Sequence, residues 1–232
     1  MTYTINPNVR AALFDIDGTL TSGGEVWAAL IESSHVGRFK RAWLYGTAMP
    51  HYMVSKTGLV SQTGFRDRWV RLMAWLMAGW PVQQAQEHYD QIVIEGLLPR
   101  LRSDVVEIVK QHQTMGHPVV LVSTMFEGIV QGFAAHIGAD TGLGSRVEFR
   151  HDRCTGRITG ETCSGARKVD FARQYLEQHY AGLPMADCAA YADSRSDIPF
   201  LAEAGYPVAT YPDEDMRAAA QERGWTIYEG GG

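Results

Sequence analysis

The sequence predicts an α/β fold: a doubly wound parallel sheet with helices on both faces, interrupted by one helical insertion. Three observations carry that expectation. Short apolar runs at 9–14, 117–122, 188–192 and 207–210 alternate with stretches of helical spacing. Three of these runs end in polar groups: Asp15 and Asp17, Ser123 and Thr124, and Asp193. The segment 23–96 shows helical spacing and no convincing strand. Strands alternating with helices imply a parallel sheet with right-handed crossovers. Sites in such sheets gather at the carboxyl ends of the strands, so the three polar clusters can converge.

In chain order, Val9 to Phe14 is the first strand and runs into Asp15-Ile16-Asp17-Gly18-Thr19. Alone, this is a buried strand followed by an Asp-Gly turn. The residues 21–24 form a loop, and 25–33 have helical spacing. Phe39 to Tyr45 and Phe65 to Met77 carry apolar residues at helical spacings, and Pro81 opens a further helix over 82–96 at its first turn. So long a segment is no ordinary loop. It predicts a small helical domain, 23–96, inserted into a core made of 1–22 and 97–232.

The α/β rhythm resumes at Leu98. A helix is expected over 101–113, with Gly116 past its end, then a strand over 117–122 that ends at Ser123 and Thr124. A helix over 127–137 is closed by Gly138. Residues 147–149 and 157–158 flank HDRCTG and suggest a short hairpin. Then follow a helix over 168–180, a strand over 188–192 ending at Asp193, a helix over 198–204 and a strand over 207–210. A helix over 213–223 and a short strand over 225–228 close the chain.

Composition excludes several classes. With 45% hydrophobic and 20% charged residues, the 232-residue chain is globular and not disordered. Its net charge of −5 and lack of a basic stripe predict no nucleic-acid partner. The most membrane-like stretch, Trp69 to Trp80, is about half the ~20 residues a spanning helix needs, and Arg71 interrupts it. No membrane partner is expected. The opening MTYTINPNVR lacks the basic start and apolar segment of a signal peptide. Cys154, Cys163 and Cys188 are three, with no CxxC pair, which argues against a disulfide framework and for a reducing, cytoplasmic compartment. Cys154 and Cys163 match no common zinc spacing and read as structural thiols, and the histidines are scattered. The Trp and Met residues of 69–80 read as helix core, as a lid over a substrate or as a dimer contact, and the oligomeric state stays open.

Together, Asp15-Ile16-Asp17-Gly18-Thr19, the strand ending at Ser123, Lys168, and Asp193-Ser194-Arg195-Ser196-Asp197 resemble the four ordered motifs of the haloacid dehalogenase-like superfamily. The resemblance spans nearly the whole chain. It is nearest to the phosphoserine phosphatase-like branch, which places a helical cap between the first and second motifs, and it implies a Rossmann-like core with 23–96 as that cap.

The resemblance also implies roles. Asp15 would attack phosphorus and form an aspartyl-phosphate; a carboxylate is ionised at neutral pH and needs no activating base. Asp17 would protonate the leaving alcohol and then deprotonate the hydrolytic water. Two-residue spacing puts both side chains on one side of an extended strand end. An enzyme attacking carbon has no need of the second acid, so Asp17 favours phosphoryl chemistry. Mg²⁺ suits oxygen ligands plus substrate phosphate. Its implied ligands are Asp15, Asp193 and the backbone carbonyl of Asp17. Asp197 would support the metal shell, cap the helix at Ile198, or do both. Ser123 and the Thr124 amide, at a helix start, would hold phosphoryl oxygens, and Lys168 would neutralise the nucleophile and the transferring group.

For substrate recognition the branch uses a glutamate after the first motif and a cap arginine, for which Glu25 and Arg71 are the candidates. Glu25 falls about one residue late, and Gly18 stands where those enzymes usually carry serine. The plain alternative is that Glu25 caps a helix and Arg71 lines one. The expected activity is Mg²⁺-dependent hydrolysis of a small organic phosphomonoester, with phosphoserine first and histidinol phosphate or polyol phosphates as rivals. Transfer to an alcohol instead of water would use the same residues. A non-catalytic binding protein is disfavoured because Asp15, Asp17, Lys168 and Asp193 are all present.

Overall fold

The computed structural model describes residues 3–24, 26–33, 35–55 and 62–230. Its strands are β1 (Ala11–Phe14), β2 (Val119–Phe126), β3 (Thr141–Ser145), β4 (Val147–Arg150), β5 (Arg153–Ile158), β6 (Cys188–Ala192), β7 (Tyr206–Thr210) and β8 (Thr226–Tyr228). The α-helices are α1 (Val26–Glu32), α2 (Arg38–Ser55), α3 (Gln62–Leu76), α4 (Val82–Gln91), α5 (Ser103–Thr114), α6 (Glu127–Ile137), α7 (Arg167–His179), α8 (Ile198–Glu203) and α9 (Glu214–Arg223).

β1 and β6 are buried at every residue, and β2 at all but Thr124. Strands apolar on both faces belong in a parallel sheet covered on both sides. Six strands pair in the order β3-β2-β1-β6-β7-β8, every neighbouring pair parallel. The chain lays β1, β2 and β3 toward one edge, then returns to place β6, β7 and β8 on the other side of β1. The winding therefore reverses between β1 and β6, and the crevice this opens lies beyond the strands' carboxyl ends. Asp15 and Asp193 follow those two strands directly.

Successive side chains of β1 point to opposite faces. Ala12 and Phe14 join one buried cluster with Leu121 and Tyr191, while Ala11 and Leu13 join a second with Val120, Val122 and Ala190. The first cluster continues into the helical insertion through Tyr89 of α4, Val70 and Met73 of α3, and Met77 just past its end. Lys40 of α2 donates to the carbonyls of Trp75, Leu76 and Ala78 at 3.3, 3.2 and 3.2 Å, which places a cation at the C-terminal end of α3.

The elements depart from expectation in four places. α2 continues ten residues past Tyr45, to Ser55. The helix after Pro81 gives way at Ile92 to a π-helical turn, Ile92–Leu97. The strand expected to stop at Ser123 and Thr124 runs on to Phe126, with irregular pairing to β3 after Val122. β3 itself, Thr-Gly-Leu-Gly-Ser, was not foreseen. Two glycines read as loop, yet α6 lies so close that a Cβ at Gly142 would fall 2.5 Å from the Val130 backbone, and one at Gly144 2.7 Å from Glu127. Close backbone approach, not propensity, makes this segment a strand.

In the hairpin, only His151 and Asp152 form the turn, both at positive φ (49° and 59°), while 153–156 belong to β5. β5 then pairs outward: Gly79 and Val82 donate to the Cys154 and Asp152 carbonyls at 2.8 and 3.0 Å, and Cys154 donates to Trp80 at 2.8 Å. A hairpin distant in sequence is thereby fastened to the α3–α4 turn. Cys154, Cys163 and Cys188 are free and buried. Among the described residues no helix is long and apolar enough to cross a membrane.

Candidate active site

Asp15 extends the β1 ladder, its amide donating to Tyr191 at 2.9 Å. That pairing fixes the direction of its carboxylate, which is buried. Lys168, in the first turn of α7 and 1% exposed, reaches Asp15 Oδ1 at 2.6 Å and Asp197 Oδ1 at 2.8 Å. One ammonium thus bridges two carboxylates from opposite ends of the sequence. Asp193, at the end of β6, accepts from Thr19 Oγ1 at 3.3 Å, and the same hydroxyl lies 3.4 Å from Asp15 Oδ2. Carboxylate oxygens of Asp15, Asp193 and Asp197 all lie within 4.8 Å of one another.

The electrostatics follow from that crowding. Burial pushes the Asp15 carboxyl up to about 6, against the pull of Lys168, and the Asp197 charge adds to the rise. Burial and the charges of Asp15 and Asp197 push Asp193 up to about 8. Burial alone would depress the Lys168 ammonium, but Asp15 and Asp197 outweigh it and hold the group above its ordinary value. One lysine cannot neutralise three buried carboxylates. Asp15 and Asp197 share the Lys168 ammonium at 2.6 and 2.8 Å, while Asp193 in the same cluster has only the Thr19 hydroxyl, at 3.3 Å. An all-oxygen cluster short of positive charge fits a hard divalent cation of the magnesium type.

Asp17 is more open than Asp15. Desolvation raises its carboxyl above the ordinary range even though Arg66, Lys168 and Arg100 pull it down. Gly18, between the two acids and Thr19, has φ +94°, and a Cβ there would lie 2.0 Å from Asp193 Oδ2. A serine at this position would displace the Asp193 carboxylate.

The family model of haloacid dehalogenase-like hydrolases matches residues 12–202. The chain belongs to that family. Its relatives place it in the phosphoserine phosphatase-like branch. It is 28% identical over 94% of its length to the Inhibition of morphological differentiation protein of Streptomyces azureus, 78% of which is covered. It is 27% identical over 94% of its length to the phosphoserine phosphatase SerB1 of Mycobacterium tuberculosis, 70% of which is covered. The crystal structure of a protein of unknown function from Bordetella pertussis superposes with a TM-score of 0.80 at 25% identity, covering 95% of this chain and 98% of that one.

Other candidate residues of this haloacid dehalogenase-like chain sit as follows. Ser123 is buried and stands two residues beyond Leu121, the ladder partner of Phe14, at the same sheet end as Asp15; its hydroxyl accepts from the Met125 amide at 3.3 Å. Thr124 lies within β2, not at a helix start, because α6 begins only at Glu127. Asp197 precedes α8 but caps no amide with its side chain, which is held by Lys168 and by Ser194 at 3.2 Å. Glu25 lies outside the described residues. Arg71 pairs with Asp67 at 3.3 Å and Glu161 at 3.8 Å and donates to the Gly160 carbonyl at 3.4 Å.

Arg66 of α3 also turns toward the acids: its Nη1 donates to Ser196 Oγ at 2.6 Å, one residue from Asp197, and its charge pulls on the Asp17 carboxyl. A sequence signal for it existed. The buried stripe Val70, Met73, Met77 extends backward by four residues to Arg66, while Arg71 falls off that stripe.

Proposed function

We propose that this phosphatase is a Mg²⁺-dependent phosphomonoesterase that works through an aspartyl-phosphate on Asp15. The observation that carries the reading is Lys168, buried between Asp15 and Asp197, with Asp193 in the same cluster and Asp17 two residues from the nucleophile. Lys168 pins Oδ1 of Asp15, leaving Oδ2 with only a long contact to Thr19 and free to attack phosphorus. As the P–O bond to the leaving group breaks, Asp17, whose carboxyl desolvation raises above its ordinary value, delivers its proton to the departing alkoxide. It then takes a proton from the water that attacks the acyl-phosphate, releasing phosphate and restoring Asp15. Asp15, Asp193 and the Asp17 carbonyl would hold the cation, with Asp197 supporting them. Bound there, Mg²⁺ supplies neutralisation of phosphoryl charge in a site rich in carboxylates. Ser123 and the Thr124 amide bind the remaining phosphoryl oxygens, and Lys168 offsets charge on them in the transition state.

The segment 23–96 acts as a cap over this site, excluding water and gating release, with the β4–β5 hairpin fastened to it. Arg66 faces the acids from the cap and is the first candidate to grip a second anionic group of the substrate, ahead of Arg71. Such a group is the carboxylate of phosphoserine, which is the substrate we favour; a relative bearing that activity by name supports the choice. The test is phosphate release from phosphoserine, histidinol phosphate, sugar phosphates, nucleotides and phosphocholine, with and without Mg²⁺. Preference for phosphoserine, Mg²⁺ dependence and loss of turnover in Asp15→Asn are expected. Undiminished release by Asp15→Asn would remove the nucleophile, and a preference for histidinol phosphate would replace the substrate.

A further inference from the structure

Charge is distributed unevenly along the chain. Residues 33–80 hold seven Lys and Arg against one acid, Asp67, while the rest hold fourteen against twenty-five. α2 contains no acid at all. Several of these cations are used internally: Lys40 closes α3, Arg41 donates to the Glu32 and Ser33 carbonyls at 3.3 and 2.9 Å, and Arg66 turns toward Ser196. Arg38 and Arg68 are exposed. Beside Arg38 the same helix face presents Phe39 at 93% exposure, Ala42, Trp43 at 48% and Tyr45 at 46%. Trp43 packs against Trp75 across a groove of about 510 Å³ that Arg68, Arg71, Asp67 and Leu72 also line.

We propose that the exposed face of α2 and the adjoining end of α3 dock peripherally on an anionic lipid surface. A helix face that mixes arginine with phenylalanine, tryptophan and tyrosine suits the interfacial zone of a bilayer, where rings enter the acyl boundary and cations meet headgroup phosphates. The exposed Arg38 and Arg68 count against the obvious rival. A second copy paired through this face about a two-fold axis would set its cations against themselves. A nucleic acid would find few donors between Arg38 and Arg68, because Ala42 and the phenyl ring of Phe39 have no polar tip. With no described helix fit to span a membrane, attachment is parallel to the surface.

The test is co-sedimentation of the full chain with phosphatidylcholine vesicles, with and without phosphatidylglycerol. Binding is expected only with the anionic lipid and is released near 1 M salt, where screening falls to about 3 Å. Arg38→Glu and Arg68→Glu should each weaken partition by roughly fivefold or more, and Phe39→Ser by about tenfold. Hydrolysis of a soluble phosphomonoester should not change in any of the three. Absence of anionic-vesicle binding at low salt overturns the proposal. So does binding that all three variants retain, self-association that Phe39→Ser abolishes, or retention of a single-stranded oligonucleotide in place of vesicles.

Discussion

Replacing Lys168 by methionine tests whether one buried ammonium holds the acidic cluster together. The lysine touches Asp15 at 2.6 Å and Asp197 at 2.8 Å, with all three side chains almost wholly buried. At 2.6 Å and an effective dielectric near 20, one such pair is worth about 6 kcal/mol before desolvation is counted. Methionine matches the lysine's length but leaves Asp15, Asp193 and Asp197 facing one another with no cation among them. Breaking a buried pair from one side costs about 3–5 kcal/mol, and that is the loss expected for the metal-free variant at pH 8. The penalty must shrink on acidification. With Lys168 in place burial pushes Asp15 up to about 6 and Asp193 up to about 8, so the cost of each buried charge builds up between the ordinary value of 3.8 and the raised folded value and is absent below both; without the ammonium, which pulls both down, the folded values rise further and the variant carries the larger pH-dependent cost. At pH 5 the difference from the parent should fall to roughly 1 kcal/mol. Urea unfolding at the two pH values measures it, and saturating Mg²⁺ should restore more stability to the variant than to the parent. Turnover should fall by about 10³-fold or more. A loss that is the same at pH 5 and pH 8 would refute the view that Lys168 neutralises buried carboxylates.

Three further outcomes follow from the geometry. Gly18→Ala puts a methyl 2.0 Å from Asp193 Oδ2 at a φ of +94°; it should cost about 1–2 kcal/mol and most of the activity, and an active alanine variant would show that Asp193 has room to move. Arg66→Ala removes the α3 cation whose charge reaches Asp17, so KM for a carboxylate-bearing substrate should rise about tenfold or more while a carboxylate-free phosphomonoester is hydrolysed with unchanged KM; equal effects on both would sink the assignment. Buried His112, bonded to Tyr191 at 2.8 Å and to His117 at 2.9 Å, is pushed down to about 3, mainly by burial. Its folded value lies below the unfolded 6.5, so the stability of the neutral ring is whole above pH 6.5 and is lost as pH falls toward 3. Between pH 7 and 4 that is roughly 3 kcal/mol, which a His112→Gln comparison should remove from the unfolding profile; an unchanged profile would rule the ring out.

The legible parts of the site were those with a local signature. An apolar run that ends in an acid announces a strand and its carboxyl end together, so Asp15, Asp17 and Asp193 could be located before any contact was known. The illegible parts depend on neighbours far along the chain. Lys168 reads in isolation as a surface lysine and is 1% exposed because α7 begins against both acid-bearing turns. Arg66 and Arg71 are five residues apart on one helix, and only the burial of Val70, Met73 and Met77 tells which of them faces the acids. β3 is a strand because α6 lies on its glycines, and the hairpin's register with Gly79 to Val82 has no trace in either segment alone.

By itself, the sequence determined the alternation of strands and helices, the family motifs and the chemical types at the strand ends, because hydrophobic periodicity and turn chemistry are short-range. The tertiary structure alone decided which charges meet. Convergence of Asp15, Lys168, Asp193 and Asp197 depends on the reversal of winding between β1 and β6, which brings residues more than 150 positions apart to one crevice.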